Sequence, residues 1–229
     1  MNRTIEERVR ATLADLPAGV ELVAAGKTRT SDEIRAAIGA GVRIVGQNYV
    51  QEAQAAIDTL GRTSAQWHMI GHLQRNKAKT AVRLFDLVQT VDSLRLAEAI
   101  DRASRAIDRV TPILIEVNSA AEPQKSGVGP ADVVDLVREV AKLSAVQIDG
   151  LMTMGPFSTD PEDLRPAFRR TKSLFDQIRG LSVPNVAMTT LSMGMSDSYA
   201  VAIEEGSTMI RVGTALFGPR SPSTTTPRT

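Results

Sequence analysis

Short β-branched apolar runs alternate with segments of helical period along nearly the whole chain. Residues 20–25 (VELVAA) read as a strand, and residues 31–40 as a helix. Thr30 and Glu33 have capping-box spacing at the start of that helix, and Gly41 follows its end. The same rhythm continues with a strand at 43–46, a helix at about Val50–Leu60, a short strand at 67–70, a helix at 76–84 and a strand at Leu87–Val91. A helix at 94–107 sets Leu96, Ala97, Ile100 and Ala103 on one face. Strands follow at 112–117 and Val146–Met152, with Pro130 where a helix begins between them. Asp160 and Pro161 read as N-cap and first helical residue. The last elements are a strand at 185–191, a helix at 196–205 and a strand at 208–212.

Eight strands separated by seven helices make a parallel sheet, because each strand returns by a crossover. Eight such units close into a single (β/α)8 TIM-type barrel. The eighth helix is missing. An N-terminal helix over about 5–16, with Thr4 and Glu7 as its capping box, is expected to cover the gap. The competing fold is an open doubly wound sheet, disfavoured because no G-x-G-x-x-G follows the first strand. The barrel is expected to span residues 1–220, and the Ser/Thr/Pro-rich 221–229 to be disordered.

The length of 229 residues and a hydrophobic fraction of 42% suit one domain with one sizeable core. A net charge of +1 gives no global field for nucleic acid or an anionic membrane. No cysteine is present, which excludes disulfides, thiolate catalysis and cysteine-held metals. His68 and His72 have the spacing of helix neighbours, but Met69 stands where a zinc protease needs Glu. The charged N-terminus is not a secretory signal, and no run approaches the ~18 apolar residues of a membrane span. A cytoplasmic monomer is the expectation.

Functional groups of such barrels lie at the carboxyl ends of the strands. Read in order, those ends offer Lys27, Asn48, His72, Met154, Ser192–Ser196 and Arg211–Thr214. Facing carboxylates for glycoside hydrolysis are not visible. Lys27 follows an apolar strand, and amines at such positions are partly desolvated and therefore nucleophilic. A snorkelling surface lysine is the plainer alternative. Gly213 and Thr214 leave the eighth strand, and Ser196 caps the helix after the seventh, where barrels often hold a phosphate. An ordinary glycine turn with an N-cap remains open. Arg211 interrupts the apolar TMIRVG, so it needs a partner: a core carboxylate such as Glu116, or a ring nitrogen. His68 reads as structural. Met152, Met154, Met193 and Met195 pack the core or surround a flat ligand, and Lys125 is a solvated loop lysine.

At these positions the chain resembles the pyridoxal phosphate (PLP) homeostasis family. The matching segments are GKT at Lys27, GQNYVQE at 46–52, WHMIGHLQRNK at 67–77, GLMTM at 150–154, LSMGMSDSY at 191–199 and IRVGTALFG at 210–218. The resemblance implies a barrel like that of alanine racemase, a PLP aldimine on Lys27 and a ring nitrogen facing Arg211. It assigns phosphate binding to Ser196, Gly213 and Thr214, with help from the Ser192–Met193 turn, and places Asn48 near the cofactor. It implies cofactor buffering and delivery, with apo PLP enzymes as recipients, rather than robust catalysis. Two positions depart from the family pattern: Gly26 where Ser is usual, and Gln47 where Glu is usual.

The alternatives are a PLP-dependent amino-acid racemase or decarboxylase, and a cofactor-free imine-forming phosphosugar aldolase. A racemase needs a second base opposite Lys27, and neither Tyr49 nor Tyr199 can be placed there from sequence. An arginine at the ring nitrogen also makes a weak electron sink. The cofactor-binding regulator is therefore favoured.

Overall fold

The computed structural model describes residues 3–219 apart from 121, 123 and 125. The expectations for Lys125 and for 221–229 lie outside the described residues. Eight parallel strands close in sequence order into a barrel: β1 (Glu21–Ala25), β2 (Ile44–Gln47), β3 (Gln66–Met69), β4 (Leu87–Val91), β5 (Thr111–Glu116), β6 (Val146–Met152), β7 (Val186–Ser192) and β8 (Met209–Val212). Closure removes the alternative of an open sheet. Around it run α1 (Ile5–Asp15), α2 (Ser31–Gly39), α3 (Val50–Leu60), α4 (Ala78–Leu84), α5 (Leu94–Arg105), α6 (Val133–Val140), α7 (Pro161–Gly180), α8 (Tyr199–Glu204) and α9 (Thr214–Phe217).

The strands have two faces, and the core accordingly has two parts. Val23, Ile44, Ile70, Leu87, Leu114, Met152 and Met209 fill the barrel interior. A larger shell, with Trp67, Phe85, Phe168 and Ile100 among its members, joins the strands to the helices. Both expected capping boxes form: the Thr30 and Thr4 hydroxyls accept from Glu33 N and Glu7 N at 3.2 Å, and each glutamate returns a bond to its cap. Such a cap typically contributes ~1 kcal/mol. Asp160 likewise caps α7 ahead of Pro161.

Five expectations are corrected. The eighth helix is present as α9, four residues long. With it sits α1, whose Arg8 Nε donates to Leu216 O at 2.7 Å, so the N-terminal helix does seat beside the eighth strand's exit. The helix after β7 begins at Tyr199, not 196. The helix expected at 76 starts as a 3-10 turn over Arg75–Lys77, and Pro130 precedes α6 by three residues. His68 lies on β3 and His72 in the loop beyond, so they are not helix neighbours.

Candidate functional site

Lys27 stands in the turn just beyond the end of β1. Val23 lies in the interior cluster and Ala25 packs against it, so the strand leads into the Lys27 turn from the inner face of the barrel. The turn that carries it is tightly held. Gly26 N donates to Gly46 O at 2.8 Å, and Arg29 N to Gly26 O at 3.0 Å. Thr28 has φ 62°, a left-handed conformation that a β-branched residue adopts only at a cost of about 1–3 kcal/mol. Its N–H donates to Glu52 Oε2 on α3 at 3.3 Å. The Arg29 side chain is 7% exposed; it pairs with Glu33 at 3.1 Å, donates to Gly218 O at 2.5 Å and lies 5.3 Å from the Phe217 ring centroid. The lysine turn is thereby fastened to α9.

β8 supplies the other half of the site. It pairs with β1 in a register that sets Val23 opposite Arg211 and Ala24 opposite Val212, so the Lys27 turn and the Gly213 turn leave the barrel side by side. A Cβ on Gly213 would meet nothing nearer than Ala25 at 3.5 Å. Neither packing nor φ demands glycine there; its effect is to leave the mouth open beside the backbone. Ser196 Oγ accepts from Gly213 N at 3.4 Å and from Ala215 N at 3.3 Å. The hydroxyl therefore serves α9 across the mouth rather than capping α8 as expected. Ser198 Oγ, not Ser196, accepts from Met195 N in front of α8. Thr214 is exposed at the rim.

Arg211 is buried, at 3% exposure. Its Nη1 donates to Ser192 Oγ at 2.6 Å and its Nη2 to Thr153 O at 2.8 Å, with Met154 Sδ at 3.6 Å. Burial pulls its pKa down to about 10 and the Glu116 charge opposes this, so it stays cationic at neutral pH. The ion pair with Glu116, one of its two candidate partners, does not form. Glu116 is instead a buried carboxyl whose Oε2 has no hydrogen-bond partner among the described residues. Burial, reinforced by Asp92 and opposed by Arg211, pushes its pKa up to about 7.

The remaining expected residues divide. Met154 is partly exposed, within reach of Arg211. Asn48 is half-buried at the end of β2, with Gly71 so close that a Cβ there would lie 2.4 Å from Asn48 O. His72 is exposed, with Nδ1 3.9 Å from Asp92 Oδ2. It lines a cleft of about 860 Å³ on the same rim with Arg75, Asp92 and Arg95, whose lining does not include Lys27 or Arg211. Ser192 lies beneath the mouth, fully buried. Met193 packs in the shell between strands and helices, and both its backbone groups are engaged. Sequence reasoning missed Arg29, Glu52 and Gln89; for Gln89 the available signal was one amide inside an otherwise buried strand, LVQTV.

Residues 3–221 match the family model described as alanine racemase, N-terminal domain. A pyridoxal phosphate homeostasis protein of Aquifex aeolicus is 39% identical over 200 residues, covering 87% of each chain. Its namesake in Escherichia coli K12 is 37% identical over 207 residues, covering 89% of this chain and 87% of the relative. The chain belongs to the pyridoxal phosphate homeostasis protein family. Among solved structures, PipY of Synechococcus elongatus with PLP bound superposes with a TM-score of 0.86 at 35% identity, covering 94% of this chain and 100% of PipY. A Clostridium difficile alanine racemase shares the fold alone: TM-score 0.78 at 16% identity, covering 95% of this chain and 58% of the racemase.

Gly26 and Gln47 lie against each other. A Cβ on Gly26 would lie 3.0 Å from Gln47 Nε2, and Gln47 is buried, its Oε1 without a partner among the described residues. They form one contact on the outer side of the barrel, beneath the Lys27 turn.

Proposed function

We propose that this chain binds pyridoxal 5'-phosphate at the carboxyl end of β1 and β8, with Lys27 Nζ bonded to the cofactor's aldehyde carbon. The observation that carries this is the β1–β8 register: it brings together an amine, a buried guanidinium and a glycine turn whose N–H groups converge on a hydroxyl. These donors fit the cofactor's three polar features. Arg211 has N–H groups left over for the ring nitrogen, which it keeps unprotonated because guanidinium does not release its proton. Ser196, Gly213, Thr214 and Ala215 N offer donors for the phosphate. Asn48 and Met154 flank the ring. Bound, the cofactor supplies an electrophilic carbonyl carbon.

The role that follows is cofactor holding and delivery. An arginine at the ring nitrogen disfavours carbanion chemistry. Tyr49 leaves β2, the strand next to that of Lys27, and Tyr199 opens α8 close under Gly194. Support also comes from the homeostasis proteins named above and from PipY, solved with PLP bound. Apo PLP enzymes are the proposed recipients and a cytoplasmic monomer the proposed form. No helix among the described residues is long and apolar enough to cross a membrane.

The test of binding is colour: the loaded protein is yellow, and borohydride abolishes the visible band. The test of delivery is transfer to an apo PLP enzyme, with Lys27→Ala as control. Transfer faster than from free PLP supports delivery; transfer no faster reduces the role to buffering. A protein that stays colourless with PLP rejects the proposal.

A further inference from the structure

A chain of hydrogen bonds crosses the barrel below the mouth, and none of the proposed cofactor contacts explains it. Arg211 Nη1 donates to Ser192 Oγ at 2.6 Å. Ser192 Oγ donates to Gln89 Oε1 at 2.7 Å, and Gln89 Nε2 meets His68 Nδ1 at 3.0 Å. The second amide hydrogen of Gln89 faces Met209 Sδ at 3.2 Å. All four polar residues are at most 3% exposed. They come from β8, β7, β4 and β3, so the chain spans the barrel from one wall to the other.

The chain has one direction. Arginine can only donate, so Ser192 must accept from it and pass its own hydrogen on to Gln89. Gln89 therefore presents oxygen to Ser192 and N–H to His68. His68 must then accept at Nδ1, which requires a neutral ring, and burial holds its pKa down to about 4. A flipped Gln89 amide would leave the Ser192 hydrogen without its acceptor in a dry interior, a costly alternative. With Thr153 O fixing Nη2 at 2.8 Å, both ends of the guanidinium are held and its plane is set.

Building on the PLP reading above, we propose that Gln89 and Ser192 are positioning residues that aim Arg211 at the cofactor's ring nitrogen without touching the cofactor. Gln89→Met keeps length and volume but deletes both amide ends. The variant should bind PLP about tenfold more weakly, the scale of one lost hydrogen bond to a charged group. Its visible band should shift. It should bind the 1-deaza analogue of PLP, with carbon in place of the ring nitrogen, within about twofold of the unmodified protein, since the effect runs through that atom. Ser192→Ala should show the same selective loss and Ser192→Thr should restore binding; this pair decides the matter if Gln89→Met does not fold. Equal PLP affinity in both proteins overturns the proposal, as does an equal loss for PLP and its deaza analogue, which would mark Gln89 as packing. Failure of the unmodified protein to bind PLP would instead overturn the functional reading, and the positioning role with it.

Discussion

Two buried titratable groups pull the stability of the unloaded protein in opposite directions. His68 has its pKa lowered to about 4 by burial, so the unfolded chain binds more protons from there up to about 6.5; its contribution is present above that range and is lost as pH falls through it. Glu116 has its pKa raised to about 7, so the folded chain binds more protons from about 4.5 upward; its contribution is present at low pH and is lost as pH rises through 7. Each shift corresponds to roughly 3 kcal/mol. Glu116→Gln removes one slope. Its stability relative to the unmodified protein should therefore grow by roughly 3 kcal/mol from pH 4.5 to 8, measured by urea unfolding; a pH-independent difference would mean Glu116 is ionised throughout. The Gly26–Gln47 contact makes a second claim at this scale. A serine at 26 sets a hydroxyl against the Gln47 amide, whose Nε2 is the nearest atom, and can accept from it; an alanine cannot. Gly26→Ser should thus be more stable than Gly26→Ala by about 1 kcal/mol, and an alanine variant of equal or greater stability would refute the contact.

The element that matters most for the mouth is also the shortest. α9 is four residues long and cannot hold itself, since one helical turn fixes many dihedrals for few hydrogen bonds. Arg8 on α1 and Arg29 beside Lys27 hold it by its carboxyl end, through Leu216 O and Gly218 O. Arg29→Ala should cost about 2 kcal/mol in denaturant unfolding. Arg29→Lys should recover less than half of that, because an ammonium cannot donate to Glu33 and Gly218 in one plane. A full rescue by lysine would show that charge alone suffices. The brevity of α9 is also why TALF escaped a reading by period. The strands and longer helices were legible because each buries a whole face, which writes a repeat into the sequence; boundaries moved by a few residues at most. Lys27, Arg211, Ser196 and Gly213 were legible as polar or small residues breaking apolar runs at strand ends. The direction of Ser196 was not, because its partners lie in the following βα unit. Nor was the route from Arg211 to His68, which joins residues more than a hundred positions apart.

Closure of the sheet makes the site a property of the whole molecule. Lys27 and Arg211 are separated by nearly the entire sequence, and only the pairing of β1 with β8 brings their strands side by side. The last gap in the outer layer is filled by α1, which buries Val9 completely and sets Leu13 against Gly41. Each such apolar side chain contributes about 1.5–3 kcal/mol, comparable to a large share of a domain's net stability. Deleting residues 1–15 should abolish cooperative unfolding, and a truncated protein that unfolds in one sharp transition would show that the barrel closes without α1. The central claim is that this closure builds a PLP site on a single lysine. Its most direct test is borohydride reduction of the PLP-loaded protein followed by peptide mass mapping. One pyridoxyl group per chain, on the peptide carrying Lys27 and absent from Lys27→Ala, is the predicted result; label spread over other lysines, or none at Lys27, would contradict it.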